Sequence, residues 1–209
     1  MQKHNKTPYT TGKFFMHNSK APPLEKSKKK PPLKEVTTYP VPPPNIHPTA
    51  IIHPSAIVDS SCQIGANTEI LPYTILCNCI LGENNQIGPF AHLQNSIFGD
   101  SCRIGNYVEI KRSELKDFVK IAHLAYVGDA RIGSHVNIGA GVVFCNYDGK
   151  EKHKTYVGNN CFIGSNSSLI APLSVGENSF IAAGSVLAKD LPASMFYVSR
   201  PDAKIAPKR

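Results

Sequence analysis

A single histidine inside an otherwise apolar stretch, His123 in Ile121-Ala-His-Leu-Ala-Tyr126, is the residue best suited to acid–base chemistry. An imidazole titrates near neutrality and can take a proton from an attacking amine or hydroxyl. A lone surface histidine is commonly inert, but this one has polar company. Lys111 lies twelve residues earlier, and Asn137, Asn146, Tyr147, Lys152 and Lys154 follow. Lysines of this kind suit a phosphorylated or carboxylated substrate. Most of the other histidines have simpler explanations. His47 and His53 begin His-Pro turns, His135 precedes the apolar Val136, and His4 and His17 belong to a Lys-rich leading segment.

The six cysteines (62, 77, 79, 102, 145, 161) point to neither a disulfide framework nor a metal centre. Cys77-Asn78-Cys79 is the one close pair, with no second pair or nearby His to complete a tetrahedral zinc set. The N-terminus lacks the apolar core of a signal peptide, so reduced thiols and a cytoplasmic setting are expected.

Such side chains need a scaffold, and the sequence describes one by repetition. Branched aliphatics recur every six residues as Ile46, Ile52, Val58, Ile64, Ile70 and Leu76. With single-residue slips the series continues through Leu81, Ile87, Leu93, Phe98, Ile104, Ile110, Leu115, Ile121, Val127, Ile132 and Ile138. It breaks between about 144 and 156, then resumes as Val157, Ile163, Leu169, Val175, Ile181 and Leu187. A period of six matches neither a helix nor a flat strand, so it describes a superstructure. The expected form is a triangular coil of three short strands, with the aliphatic residue inward and a small residue near each corner. Gly and Asn are expected at the turns, where they tolerate positive φ. Cys62, Cys102 and Cys161 fall at the small core positions. Coils about 4.8 Å apart would stack into a prism of about eight turns, roughly 40 Å long. The domain organisation is therefore residues 1–44, a β-helix over 45–190 with an inserted loop at 144–156, and a C-terminal extension over 191–209.

Composition agrees with this division. The chain has 209 residues, 17 Pro, 15 Gly and a net charge of +8. Residues 1–44 carry nine Lys against two acids and hold nine of the prolines, whereas the remainder is nearly balanced. The basic excess thus belongs to a segment expected to be disordered, a spacer or a docking tail, and nucleic acid is not the expected partner. No apolar run is long enough to span a membrane.

Residues 87–200 resemble the C-terminal acetyltransferase domain of the bifunctional N-acetylglucosamine-1-phosphate uridyltransferase/glucosamine-1-phosphate N-acetyltransferases. The matching stretches are Gly105-Asn-Tyr-Val-Glu-Ile-Lys111, His123-Leu-Ala-Tyr-Val-Gly-Asp-Ala130, Val136-Asn-Ile-Gly-Ala-Gly141 and Cys145-Asn-Tyr-Asp-Gly149. They continue in Val157-Gly, Ile163-Gly-Ser165, Ile181-Ala-Ala-Gly184 and Ser199-Arg200. The resemblance implies an all-β, left-handed parallel β-helix of hexapeptide repeats. It implies acetyl-coenzyme A as co-substrate, an amino-sugar phosphate as acceptor, no metal, and a homotrimer with sites between prisms. By the same resemblance His123 is the general base and Ala140 gives its N–H to the oxyanion. Lys111, Tyr126, Asn137 and Lys152 meet the amino-sugar phosphate, while Asn146, Tyr147, Ser165, Ala183 and Arg200 meet acetyl-coenzyme A along with Ala140.

Three departures qualify this likeness. Gln94 stands where the family has a phosphate-clamping Arg, and Ala122 where it has a Gly. The uridyltransferase half has no counterpart, so no uridyltransferase activity is expected of this chain, and a separate uridyltransferase would be its partner. Alternative functions remain an acyltransferase for another amino sugar or a non-catalytic trimeric scaffold. A γ-class carbonic anhydrase, which shares the fold, would need three zinc-binding histidines at spacings absent here.

Overall fold

The computed structural model describes residues 45–199; the expected disordered tail 1–44, Arg200 and residues 201–209 lie outside the described residues. Within them every regular element is a strand, from Asn45–Ile46 to Phe196–Tyr197, and most are only two or three residues long. The strands pair parallel in continuous ladders. Ile110 pairs with Val127, seventeen residues on, so one coil takes 17 residues.

Most two-residue strands follow one rule. The first residue faces solvent and the second, an aliphatic, is buried, as in Gln63–Ile64, Gln86–Ile87 and Glu114–Leu115. Three such strands close one turn, and three flat faces result. The first face stacks Glu69–Ile70, Gln86–Ile87, Arg103–Asn106, Lys120–His123, Asn137–Ile138, Phe162–Ile163 and Phe180–Ile181. The second contains Glu109–Lys111, Tyr126–Gly128 and Val143–Cys145, and the third contains Glu114–Leu115, Ala130–Ile132 and Thr155–Val157. Inward aliphatics from all three faces meet in one continuous core, including Leu93, Ile104, Ile110, Leu115, Ile121 and Ile132. Each fully buried aliphatic contributes about 1.5–3 kcal/mol. Cys62, Cys102 and Cys161 are buried at the small corner positions, and all six cysteines are free.

Corners differ from expectation in which residues take the left-handed conformation. Asn67, Asn84, Asn95 and Asn160 do so, but so do Tyr73, Phe90, Tyr107, Arg112, Phe118, Leu124, Asp129 and His135. A non-Gly residue there costs about 1–2 kcal/mol. Coil-to-coil contacts offset the cost, because equivalent corner residues stand directly above one another. Tyr73, Phe90 and Tyr107 form a stack with centroids 5.1 and 5.3 Å apart, and Phe118 stacks on His135 at 4.6 Å. Glycine at the position after an inward aliphatic has a different cause. A Cβ on Gly105 would lie 1.9 Å from the carbonyl oxygen of Ala122, so close approach of adjacent coils excludes a side chain there.

The interruption is narrower than the break in the repeat. Phe144 and Cys145 still belong to a strand, Thr155 begins the next, and Phe144 and Thr155 are both buried. The projecting segment is therefore 146–154 rather than 144–156. It makes the coil from Ile132 to Val157 twenty-five residues long. The coil also continues past residue 190. Leu191 bridges to Val175, and Phe196–Tyr197 pairs with Phe180–Ile181, with the Tyr197 hydroxyl donating to the Val186 carbonyl at 2.8 Å.

Candidate functional site

His123 ends a strand of the first face, immediately before the corner at Leu124, and its side chain is exposed. Its Cα partner one coil earlier is Asn106. The same column continues through Ala140, Ser165 and Ala183. Carbonyls of Asn106, His123, Ala140 and Ser165 accept from the N–H groups of Leu124, Gly141, Asn166 and Gly184. Five residues scattered over 78 positions of sequence thereby form one line along one corner. The N–H of Ala140 is not a donor in that ladder, and it stands one coil, about 4.8 Å, from the residue level of His123. Gly139 keeps the strip beside Ala140 bare: a Cβ on it would lie 2.5 Å from the Ser165 nitrogen. Asn137, half-buried on the same face, pairs with Lys120 three residues before the column, and borders a shallow hollow of about 220 Å³ with Phe118, Lys120, His135 and Val136.

The neighbour of His123 is specific. Its Nδ1 lies 2.6 Å from the Asn106 Oδ1. Sequence reasoning passed over Asn106, although its signal was available: it precedes His123 by one 17-residue coil.

A second group sits at the next corner, between the second and third faces. Gln94, Lys111 and Gly128 are register partners in successive coils. Lys111 pairs with Glu109. The Tyr126 hydroxyl and Asn146 amide converge over Gly128, where a Cβ would lie 2.6 and 2.5 Å from them. Asn146 is buried, and its amide nitrogen donates to Asp129. Arg112 donates bidentately to Asp129 at 2.7 and 2.8 Å. That guanidinium, followed by the Asn146 amide and the Arg112 and Lys152 charges, holds the Asp129 carboxyl below its ordinary range.

Asn146 also starts the projecting segment that carries Tyr147 and Lys152. The segment is a small hairpin, with an antiparallel bridge between Tyr147 and Lys152. Asp148 organises it by accepting from the N–H groups of Lys150 and Glu151 and from His153. The Glu151 N–H, then His153 and the Lys150 N–H, depress the Asp148 carboxyl strongly. His153 in turn donates its backbone N–H to the Asn146 carbonyl. Arg112, Asp129, Asp148 and His153 were also missed from sequence, because each acts through a contact made across coils or within the hairpin.

One prism brings the expected residues together as two groups, not one. From His123 to Gly128, the partner of Lys111, the chain runs five residues, roughly 16 Å of strand around a convex corner. Larger hollows lie elsewhere, on the third face. One of about 480 Å³ is bounded by Glu114, Arg131, Tyr156, Asn159 and Glu177, and one of about 280 Å³ by Arg112, Asp129, Arg131 and Lys154. Neither contains His123. Both are open concavities between surface side chains, away from the column. Among the described residues there is no cluster of three or more potential metal-ligating side chains, and no helix long and apolar enough to cross a membrane.

Comparison with known proteins agrees with this architecture. Residues 41–147, just over half of the chain, match the family described as the GMPPB C-terminal domain, and residues 154–189 match the bacterial transferase hexapeptide (six repeats). The segment between the two matches is the tip of the projecting hairpin. The bifunctional protein GlmU of Aquifex aeolicus is 60% identical over 87 residues, covering 42% of this chain and 19% of that protein. GlmU of Lawsonia intracellularis is 53% identical over 91 residues, covering 44% of this chain and 20% of its own length. The matched part thus spans about a fifth of these curated relatives. A solved UDP-N-acetylglucosamine acyltransferase from Francisella novicida superposes with a TM-score of 0.59 at 22% identity, covering 74% of this chain and 66% of that one. This likeness is of fold, a left-handed parallel β-helix. With its core, corners and coil register accounted for, the chain belongs to the family of the GMPPB C-terminal domain, extended by a stretch that matches the bacterial transferase hexapeptide.

Proposed function

We propose that the chain is an acetyl-coenzyme A-dependent N-acetyltransferase acting on glucosamine-1-phosphate. The observation that carries this reading is the single column Asn106, His123, Ala140, Ser165, Ala183. It sets a base, a backbone N–H and a run of small residues in the order that amide formation from a thioester requires.

In this reading the acceptor amine attacks the thioester carbonyl directly while His123 removes its proton. General-base help of this kind is commonly worth 10²–10⁴ in rate. The tetrahedral oxyanion accepts a hydrogen bond from the Ala140 N–H, held rigid by the ladder around it. Collapse expels the coenzyme A thiolate, which recovers the proton from the imidazolium. No cysteine takes part, and Cys62, Cys79, Cys102 and Cys161 are buried in the core. Above His123 the column rises three coil steps, about 14 Å. Such a bare strip suits an extended pantetheine arm, with Ser165 and Ala183 beside it. Arg200, outside the described residues, is a further acetyl-coenzyme A contact implied by the resemblance.

The acceptor phosphate calls for the other group: Lys111, Tyr126 and Lys152, with Gln94 beside them. These side chains stand around a corner from His123, so a complete site needs the second group from a neighbouring copy. A homotrimer of parallel prisms supplies three such grooves, each concave where a single face is flat. Asn146, with its amide engaged by Asp129, acts in this scheme by holding Tyr147 and Lys152 in place. Gln94 favours a second reading, a different amino sugar as acceptor, because an amide brings no charge to a phosphate.

The decisive measurement is thiol release from acetyl-coenzyme A by the purified chain with glucosamine-1-phosphate and a panel of neutral amino sugars. Preference for the phosphorylated sugar supports the first reading. Preference for a neutral one selects the second, and no release with any amino sugar removes both.

A further inference from the structure

We infer that Asn106 is a positioning residue that holds His123 in the Nδ1–H tautomer, so that Nε2 presents its lone pair to the acceptor amine. This rests on the acetyltransferase reading for its purpose, though not for its geometry.

The geometry is a 2.6 Å contact between the His123 Nδ1 and the Asn106 Oδ1. An amide oxygen can only accept, so the ring nitrogen facing it carries the hydrogen. The unprotonated nitrogen of the neutral ring is then Nε2, on the opposite edge. Both side chains rise from paired strands rather than from a loop, with Asn106 and His123 as Cα partners. The Asn106 carbonyl is also fixed, accepting from the Leu124 N–H at 3.0 Å. Gly105 and Ala122 bring the two coils into close contact just before this pair.

The choice of an amide has a chemical consequence. A carboxylate here would orient the ring equally well but would favour the imidazolium, withdrawing the base at neutral pH. Asparagine orients without adding charge. Charged groups on the flanking strands are Arg103 and Lys120 on the first face and, around the corner, Glu109, which Lys111 engages. During transfer the amine proton moves to Nε2 and later to the departing thiolate, while the Nδ1 hydrogen stays with Asn106. Nothing passes to the amide.

The test uses the full chain with Asn106→Asp and Asn106→Leu. Nitrogen-15 spectra of wild-type His123 should show a protonated Nδ1 in the neutral ring; a protonated Nε2 overturns the proposal whether or not the chain transfers acetyl groups. In thiol-release assays Asn106→Leu should lower kcat about ten- to a hundredfold while leaving the KM for acetyl-coenzyme A unchanged. Asn106→Asp, close to isosteric and safe for folding, should move the acid limb of the kcat profile up by about one pH unit. If His123→Ala abolishes transfer but both Asn106 variants keep the wild-type rate and profile, Asn106 has no positioning role and only this inference falls. If His123→Ala transfers normally, the acetyltransferase mechanism falls, and the spectra alone decide the tautomer.

Discussion

Two adjacent corners of the same prism, separated by a single strand, are built from opposite materials. At the corner after the first face, His123, Ala140, Ser165 and Ala183 present one ring and otherwise mostly backbone and small side chains. At the corner after the second face, Arg112, Asp129, Asn146 and Lys152 crowd together, and the coil opens into a hairpin. The bare corner depends on strict coil register, because its parts meet through the carbonyl ladder and the contact of Asn106 with His123 between successive coils. The charged corner depends on side-chain pairs that cross coils, because its hairpin has no register to obey. In the proposed reading one corner takes the extended thioester and the other the anionic sugar.

The sharpest way to break this contrast is at the bare corner. His123→Ala should lower kcat by about 10²–10⁴, with little change in melting temperature since the ring is exposed. An undiminished rate in a thiol-release assay would mean that the column does no chemistry. Mixing subunits tests the division itself. Assemblies of His123→Ala and Lys111→Ala chains, each nearly inactive alone, should regain activity on co-expression, because some grooves then pair an intact column with an intact charged corner. No recovery would place the whole site on one chain.

At the charged corner, Gln94→Arg should lower the KM for glucosamine-1-phosphate about tenfold, the effect of one charge-assisted phosphate contact. An unchanged KM would show that the phosphate lies elsewhere or that the acceptor has none. Asp129→Ala should cost about 1–3 kcal/mol by leaving the buried Asn146 amide without its acceptor. In a chain of this size that is a fall of about 2–4 °C per kcal/mol, with the KM for the acceptor raised as Lys152 loosens.

The smallest effect is on pH. Asp129 titrates below its ordinary value of 3.8, so its stabilisation is full above that value and is lost as pH falls through the folded one. Amide exchange at His153 and Thr155, which reports opening of the hairpin base, should accelerate in that acid window. In Asp129→Asn the acceleration should vanish; its persistence would assign the acid sensitivity to Asp148 instead.

Much of the scaffold could be read directly. The hexad places Ile64, Ile104, Ile121 and Ile163 inward, and all are buried. It also explains Cys62, Cys102 and Cys161 as core residues. It misjudged the corners, where Tyr73, Phe90 and Tyr107 take the conformation expected of Gly or Asn. Local propensity opposes that choice, and only stacking between coils, invisible within one hexad, makes it favourable. The candidate residues themselves, His123, Lys111 and Lys152, were legible from their types and from a family likeness. Asn106 and Asp129 were not, since each matters through a partner seventeen residues away.

What the sequence determined alone is the direction each side chain takes, because burial alternates over two or three residues and the pattern is written locally. Which residues then stand above one another was decided by the folded coils. Their stacking follows from coil length and from the eight or so extra residues of the hairpin, sums over the whole turn that no short motif contains. That stacking put Asn106 against His123, ran Ala140, Ser165 and Ala183 along one edge, and set Lys111 at the next corner.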